Sequence, residues 1–490
     1  MTLVVSFEDL FANETKLLAK HESWDRVELG EVCEVLNGFA FKSAQFNKSE
    51  GFPVVRIRDL MRGTTGTFYK GDYSSQYIVE NGDLLVGMDG NFGCYEWSGG
   101  EALLNQRVCK LIPRDGYLDR KFLLFVINGY LKAIEEATSS VTVAHLSSRD
   151  IQRIPLPFPS LNEQGRIVAK LEKLLSRVHG AQTRLEAIPR ILKRFRQSVL
   201  AAACSGRLTT DWRKLHLNVM PAGGNADQLE KERARDYDLK CKNAKLSGIR
   251  KPRRPANLDE KVCLEELGGF VDLPDEWIYV PLAKVSSDSA DSIVDGPFGT
   301  AVNTKTDYVN SGVPVVRINN IHAFGFDSTN LKYISEAKFD QLERHKITPG
   351  DVLLTKVGTI GDSCVFPSNY AKALLSTTGS CKISVDTRIA NNQYVCLYLN
   401  HLKPFLNSIA SEAVQAFLNM KTIKSVPLAL PPLLEQLEIV RRVEALFKTA
   451  DALEARYRKA KAQVDKLTQS ILAKAFRGEL VPQGPTTTRV

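Results

Sequence analysis

Gln197-Ser-Val-Leu-Ala-Ala-Ala-Cys-Ser-Gly-Arg-Leu208 is written a second time, with changes, as Gln469-Ser-Ile-Leu-Ala-Lys-Ala-Phe-Arg-Gly-Glu-Leu480. Gln197, Ser198, Leu200, Ala201, Ala203, Gly206 and Leu208 recur as Gln469, Ser470, Leu472, Ala473, Ala475, Gly478 and Leu480, so 7 of 12 positions are identical at an offset of 272 residues. A given residue matches by chance only about 6% of the time, so the chain contains an internal repeat. Working back from this stretch at the same offset, Glu163, Gln164, Ile167, Val168 and Glu172 match Glu435, Gln436, Ile439, Val440 and Glu444. Ile151, Pro155, Leu156 and Pro159 match Ile423, Pro427, Leu428 and Pro431. Further upstream the likeness thins but stays collinear: Gly82-Asp-Leu-Leu85 against Gly350-Asp-Val-Leu353, and Pro53-Val-Val-Arg-Ile57 against Pro314-Val-Val-Arg-Ile318. Trp24 and Trp277 open the two copies.

The well-matched tails carry apolar residues in steps of three and four. Leu171, Val178, Leu185 and Leu192 mark the first run, and Val443, Leu453, Val464 and Ile471 the second; this is a heptad seam with charged residues between. The spacing predicts two long helices. If each leaves its own domain in the same way, compact packing sets them antiparallel about a pseudo-two-fold axis. Pro189 lies inside the first and is expected to kink it, while Gly206 and Gly478 are expected C-terminal stops. The expected fold class is therefore α/β: two mixed α/β domains separated by two long antiparallel coiled-coil helices. The expected divisions are an N-terminal segment 1–23, a first domain 24–159, a helix 160–215, a charged and flexible linker 216–276, a second domain 277–431, a helix 432–480 and a tail 481–490.

Within the domains, alternation in Val54-Val-Arg-Ile-Arg58 predicts a strand with Val55 and Ile57 on one face and Arg56 and Arg58 on the other. Val316 and Ile318 repeat it, with Arg317 and Asn319 turned outward. Asn81-Gly-Asp83 and Pro349-Gly-Asp351 read as turns into apolar strands. The loops Met88-Asp-Gly-Asn-Phe-Gly93 and Lys356-Val-Gly-Thr-Ile-Gly361 keep their glycines and change what lies between, as do Asn105-Gln-Arg107 and Ser376-Thr-Thr378. A retained frame with divergent polar tips suits surfaces that read different ligands. Asn, Gln and Arg pair with purine edges, and Lys and Arg neutralise phosphates. The candidate DNA contacts are Lys42, Arg56, Arg58, Asn91, Asn105, Gln106, Arg107, Arg317, Asn319, Asn320, Lys356, Thr359, Ser376 and Thr377.

A net charge of +9 over 490 residues permits a polyanionic partner without demanding one. Nine cysteines, none in a C-x-x-C pair, read as reduced thiols of a cytoplasmic protein with no metal site. No export signal or membrane span is expected. Walker A, dinucleotide-binding, nucleophile-elbow, H-E-x-x-H and EF-hand patterns are all missing from the sequence. Asp351 with Lys356 lacks the second acidic residue of a metal nuclease. No catalytic residue is expected in this chain.

The layout resembles the specificity subunit of type I restriction-modification enzymes. The resemblance is carried by Ile188-Pro-Arg-Ile-Leu-Lys-Arg-Phe-Arg-Gln-Ser-Val-Leu200, by Leu467 to Leu480, and by Pro159-Ser-Leu-Asn-Glu-Gln164 and Pro431-Pro-Leu-Leu-Glu-Gln436, which close the two domains. It spans residues 24 to 215 and 277 to 480. It implies a bipartite, asymmetric double-stranded DNA target whose gap the helices set, and two methyltransferase subunits bound to the seam residues named above. It also implies restriction and translocation subunits, with S-adenosylmethionine, ATP and Mg on those partners and no cofactor here. The segment from Leu215 to Trp277, with its basic run Arg250-Lys-Pro-Arg-Arg-Pro255, departs from the simplest family layout. A reading from another class is a protein scaffold in which the coiled coil joins other subunits and the flanking domains bind proteins, without sequence-specific DNA reading.

Overall fold

The computed structural model describes residues 18, 20–90, 92–138, 145–259, 271–299, 301–410 and 416–482. The chain divides into two units, one built from residues 1–188 with 456–490 and the other from 189–455. Five helices organise it: α1 (Arg120–Thr138), α2 (Leu161–Cys204), α3 (Ala222–Leu246), α4 (Asn392–His401) and α5 (Leu433–Phe476). α2 and α5 contain 44 residues each, and each contributes one part to either unit.

The strands of the first unit that matter here are β1 (Asp25–Glu28), β2 (Cys33–Asn37), β3 (Phe52–Val55), β4 (Leu84–Gly87), β5 (Gly93–Glu96), β6 (Ala102–Leu104), β7 (Val108–Pro113) and β8 (Pro155–Phe158). β2, β7, β4 and β5 form one sheet in that order, and β3 and β6 pair in parallel at the centre of a second sheet edged by short strands. β1 pairs with β8, so the strand ahead of α2 is tied to the start of the domain.

The second unit repeats this plan with β9 (Ile278–Pro281), β10 (Ile293–Asp295), β11 (Val313–Val316), β12 (Val352–Thr355), β13 (Ser363–Val365), β14 (Ala373–Leu375), β15 (Ser380–Ile383) and β16 (Pro427–Leu430). Its four-stranded sheet runs β10, β15, β12, β13; β11 and β14 are its parallel pair, and β9 pairs with β16.

The alternation expected over Val54–Arg58 is corrected. Val54 and Val55 are both wholly buried, on opposite sides of a strand with a cluster on each face. That is how a strand in a parallel pair reads. The strand then stops, and Ile57–Leu60 form a helical turn whose first amide, Arg56 N, donates to Asp59 Oδ2 at 3.0 Å. In the second unit Arg317 N donates to Asn320 Oδ1, again at 3.0 Å.

The Gly-Asp turns serve the fold in both copies. Gly82 and Gly350 hold φ of 91° and 88°, which only glycine adopts freely. Asp83 accepts from Glu80 N and Asp351 from Thr348 N, both at 2.8 Å. Each aspartate then faces a lysine of the neighbouring strand, Lys110 at 2.6 Å and Lys382 at 3.7 Å.

The matched Glu-Gln pairs explain why the sequence repeats there. Gln164 accepts from Asp119 N (2.8 Å) and donates to the carbonyls of Tyr117 (3.1 Å) and Pro159 (3.0 Å). Gln436 accepts from Asn391 N (2.7 Å) and donates to Ile389 (3.0 Å) and Pro431 (2.9 Å). One carboxamide thus stitches the end of the domain, the start of its helix and the root of α1 or α4. A buried amide must have such partners.

α2 runs unbroken through Pro189. In the second unit Arg196 pairs with Asp451 (2.6 Å) and Glu454 (3.0 Å). Arg442 meets Leu208 O at 2.8 Å and Asp211 at 2.6 Å. As one chain advances its partner positions fall back, so in this unit the helices are antiparallel, as expected.

The segment expected as a flexible linker holds α3, which docks on the second unit. Ala222 and Leu229 join that unit's core, and Arg233, 5% exposed, pairs with Asp386 (2.7 Å) and Asp288 (2.9 Å) and donates to Lys284 O (2.8 Å). Burial pushes the Asp386 carboxyl up, but hydrogen bonds from Arg388 and Arg233 outweigh it and hold it at about 2. The basic run is partly spent as well: Arg253 pairs with Asp291, and Arg254 donates to Leu258 O at 2.7 Å.

Candidate nucleic-acid interface

Parallel pairing decides where the candidate residues meet. In the first unit Val54 faces Leu103 and Val55 faces Leu104, so the residues that follow, Arg56 and Asn105, emerge side by side at the ends of β3 and β6. In the second, Val315 and Val316 face Leu374 and Leu375, which brings Arg317 beside Ser376.

Backbone hydrogen bonds then bind three loops into one head. Phe39 N donates to Leu104 O (2.9 Å), Gln106 N to Phe39 O (3.0 Å) and Met88 N to Arg107 O (3.1 Å). The segment after α1 closes the group, with Leu146 N donating to Met88 O at 2.8 Å and Asp89 bridged to His145. The second head repeats part of this frame: Lys356 N donates to Gly379 O (2.8 Å), Leu418 N to Lys356 O (3.0 Å), and Val357 is bridged to Phe417, whereas Pro297, following Gly296 as Phe39 follows Gly38, has no N–H to donate. Gly38 and Gly296 are required by this closeness. A Cβ on either would lie 2.1 Å from the carbonyl oxygen of Asn105 or Thr377.

The side chains on the two frames differ. In the first head Arg107 Nε lies 3.2 Å and Nη1 3.4 Å from the two carboxylate oxygens of Asp89, and His145 Nδ1 is 2.5 Å from Asp89 Oδ1. Arg107 keeps 51% of its side chain exposed. Lys42, Arg58 and Gln106 are exposed, Arg56 and Asn105 half-buried. Arg58 donates to Thr67 Oγ1 at 3.2 Å, and the guanidinium of Arg56 has no partner among the described residues. Phe39, 45% exposed, packs against Phe41 and Tyr77 at 5.2 Å each. Asn91 lies outside the described residues.

In the second head, Val357, Gly379 and Phe417 occupy the places of Asp89, Arg107 and His145. Phe298 is 80% and Phe417 39% exposed, and Asn319, Thr359 and Thr377 are exposed. Three candidates are corrected. Asn320 is 1% exposed because its amide is spent on the turn: it accepts from Arg317 N and donates to Asp327 O (2.9 Å). Lys356 is buried against Asp295 at 2.9 Å, and Ser376 is buried, its amide donating to Val316 O. Arg317 is half-buried and donates to Asn330 O at 2.6 Å.

Asp89 and His145 were missed as site residues by sequence reasoning. The glycine-framed loop pointed to the neighbourhood of Asp89, whereas no sequence signal ties it to a histidine 56 residues away.

The helical seam is also corrected. Leu171, Val178, Leu192 and Val443 are buried by the chain itself, Leu185, Val464 and Ile471 are half-buried, and of the eight only Leu453 is exposed, at 47%. Apolar side chains that do reach solvent on the helices include Ile191, Phe195, Leu434, Leu437 and Leu467. A heptad pattern marks what a helix buries, and an intramolecular partner satisfies it first. Among the described residues no group of His, Cys, Asp and Glu could hold a metal ion, and no helix is long and apolar enough to cross a membrane.

The family model described as the type I restriction modification DNA specificity domain matches residues 21–190 and 296–462. The EcoBI type I restriction enzyme specificity subunit of Escherichia coli is 36% identical over 478 residues, covering 96% of this chain and 89% of that protein. The EcoKI specificity subunit of Escherichia coli K12 is 26% identical, covering 94% and 90%. Among solved structures, the HsdS subunit from Thermoanaerobacter tengcongensis superposes with a TM-score of 0.54 at 20% identity, covering 94% of this chain and 97% of that one. A chain from a structure of a type I restriction-modification system, titled for its complex assembly and conformational transition, gives 0.59 at 20% identity and covers 94% and 99%.

Proposed function

We propose a function that proceeds from one fact: this chain belongs to the type I restriction modification DNA specificity family. It is the subunit that selects the DNA sequence for a methyltransferase and restriction complex. Each head reads one half of a bipartite, asymmetric duplex site, and the two long helices set the gap between the halves. The helices also carry the methyltransferase subunits, for which Ile191, Phe195, Leu434, Leu437, Leu453 and Leu467 are among the apolar groups left exposed. Chemistry belongs to the partners, which bring S-adenosylmethionine, ATP and Mg, and this chain is not itself an enzyme.

One observation carries this reading: two heads share the backbone hydrogen bonds made at Met88 and at Lys356 and differ in the side chains presented around them. Two ligand surfaces of one shape and unlike chemistry suit an asymmetric target. Lys42, Arg56, Arg58, Asn105, Gln106 and Arg107 serve the first half-site. Arg317, Asn319, Thr359 and Thr377 serve the second.

The test is to replace residues 24–159 by the corresponding domain of a relative with a different target and map methylated bases in cells carrying the whole complex. One half of the methylated motif should change and the other stay. Change in both halves, or in neither, contradicts the assignment of one half-site to each head. A complex with no preference for any duplex over random competitor DNA would favour a protein scaffold instead.

A further inference from the structure

We infer that the first head reads a guanine in the major groove through Arg107, which Asp89 holds with its paired donors turned outward. The inference rests on the function proposed above and adds to it the base and the atoms that select it.

The geometry leads there in three steps. Asp89 holds Arg107 through Nη1, which donates to Oδ1 at 3.4 Å and lies 3.4 Å from His145 Nδ1, while Nε stands 3.2 Å from Oδ2. A guanidinium so held keeps both hydrogens of Nη2 and the second hydrogen of Nη1, which is enough for a paired contact. Guanine offers two acceptors, O6 and N7, at the spacing of that fork, and no other base does so in the major groove.

Next, the fork is steadied. Asp89 is only 22% exposed and also receives His145 Nδ1 at 2.5 Å, so the carboxylate is fixed from two sides while Arg107 stays half in solvent. An arginine immobilised before binding loses less entropy on reaching a base. Finally, Arg107 ends the loop that begins beside Arg56, a cation available for the phosphates flanking the base. The second head has Gly379 where Arg107 stands and Val357 where Asp89 stands, so the contact belongs to one half-site.

The test uses the complete complex of this chain with its methyltransferase partners, on duplexes carrying the mapped site. Each guanine of the site is replaced in turn by 7-deazaguanine, which lacks the N7 acceptor, or by adenine. For the unaltered complex, one guanine of the first half-site should prove sensitive, with methylation falling about tenfold or more. Arg107→Ala should lose that sensitivity and keep full discrimination in the second half-site. Arg107→Lys, which keeps the charge and loses the fork, should do the same. Asp89→Asn, acting through the arginine, should relax the same guanine and no other position.

Undiminished discrimination at every guanine of the first half-site by Arg107→Ala and Arg107→Lys overturns the inference, as does coupling to the second half-site. A first half-site without guanine overturns it too, with the function intact. An unaltered complex that methylates no preferred site removes the function and this assignment together.

Discussion

The two units share a frame, and they diverge at two places of opposite character: the head, where the difference is exposed, and the foot of the long helix, where it is buried. At the foot, Gln164 and Gln436 do identical work while their neighbours part company. Glu435 is wholly buried and receives Thr209 Oγ1 (2.6 Å), Trp277 Nε1 (2.9 Å) and the guanidinium of Arg213. Glu163 is buried too, yet its Oε1 has no partner among the described residues, nor has Trp24 Nε1. The sequence explains the contrast: at the 272-residue offset, Val481 stands for Thr209 and Pro485 for Arg213. One carboxylate anchors the chain that leaves α2; the oxygen Oε1 of the other, at the matched position, has no such partner among the described residues.

The sharpest way to break this comparison is Glu435→Ala against Glu163→Ala. Removing Glu435 takes the acceptor from a buried indole N–H and a buried hydroxyl and the counter-ion from the partly buried Arg213, so the second unit should lose about 3–5 kcal/mol. Removing Glu163 should change the first by about 1 kcal/mol or less. Denaturant unfolding followed by peptide-resolved hydrogen exchange reads the two separately, and equal losses would show that the feet are equivalent after all.

A smaller effect sharpens the claim that the heads share one frame. Gly38→Ala and Gly296→Ala each drive a methyl group into a carbonyl oxygen of the neighbouring loop. Each should lower the stability of its own unit by about 1–3 kcal/mol, to a similar extent. A marked loss in one unit alone would mean that the shared hydrogen bonds do not confer a shared tolerance.

The smallest difference concerns phosphate contacts. Arg56→Ala should lower the slope of log K against log salt by about 0.9 and leave base choice unchanged, since it removes one free cation. Arg317→Ala should change the slope less, because that guanidinium already donates to Asn330 O.

These contrasts also show what was legible beforehand. The repeat stood out where both copies do the same buried job, as at Gln164 and Gln436, and the helices followed from their spacing. The strand at Val54 and Val55 misled because period-two alternation presumes one wet face, and β3 has none. Asn320, Lys356 and Ser376 looked like polar tips because a sequence does not reveal that an amide or ammonium is already satisfied. The partners of Arg107, Asp89 and His145, escaped for a different reason: the three residues come from three loops that only the backbone hydrogen bonds of the head bring together.

α3 bears on how such proteins can be recombined. A chimera joined at Trp277 would graft the second domain without Arg233, leaving Arg388 alone to pair with Asp386 and Asp288. A junction ahead of Ala222 transfers the counter-ion with the carboxylates it neutralises. The heritable module for the second half-site therefore starts some fifty residues earlier than the recognition fold itself.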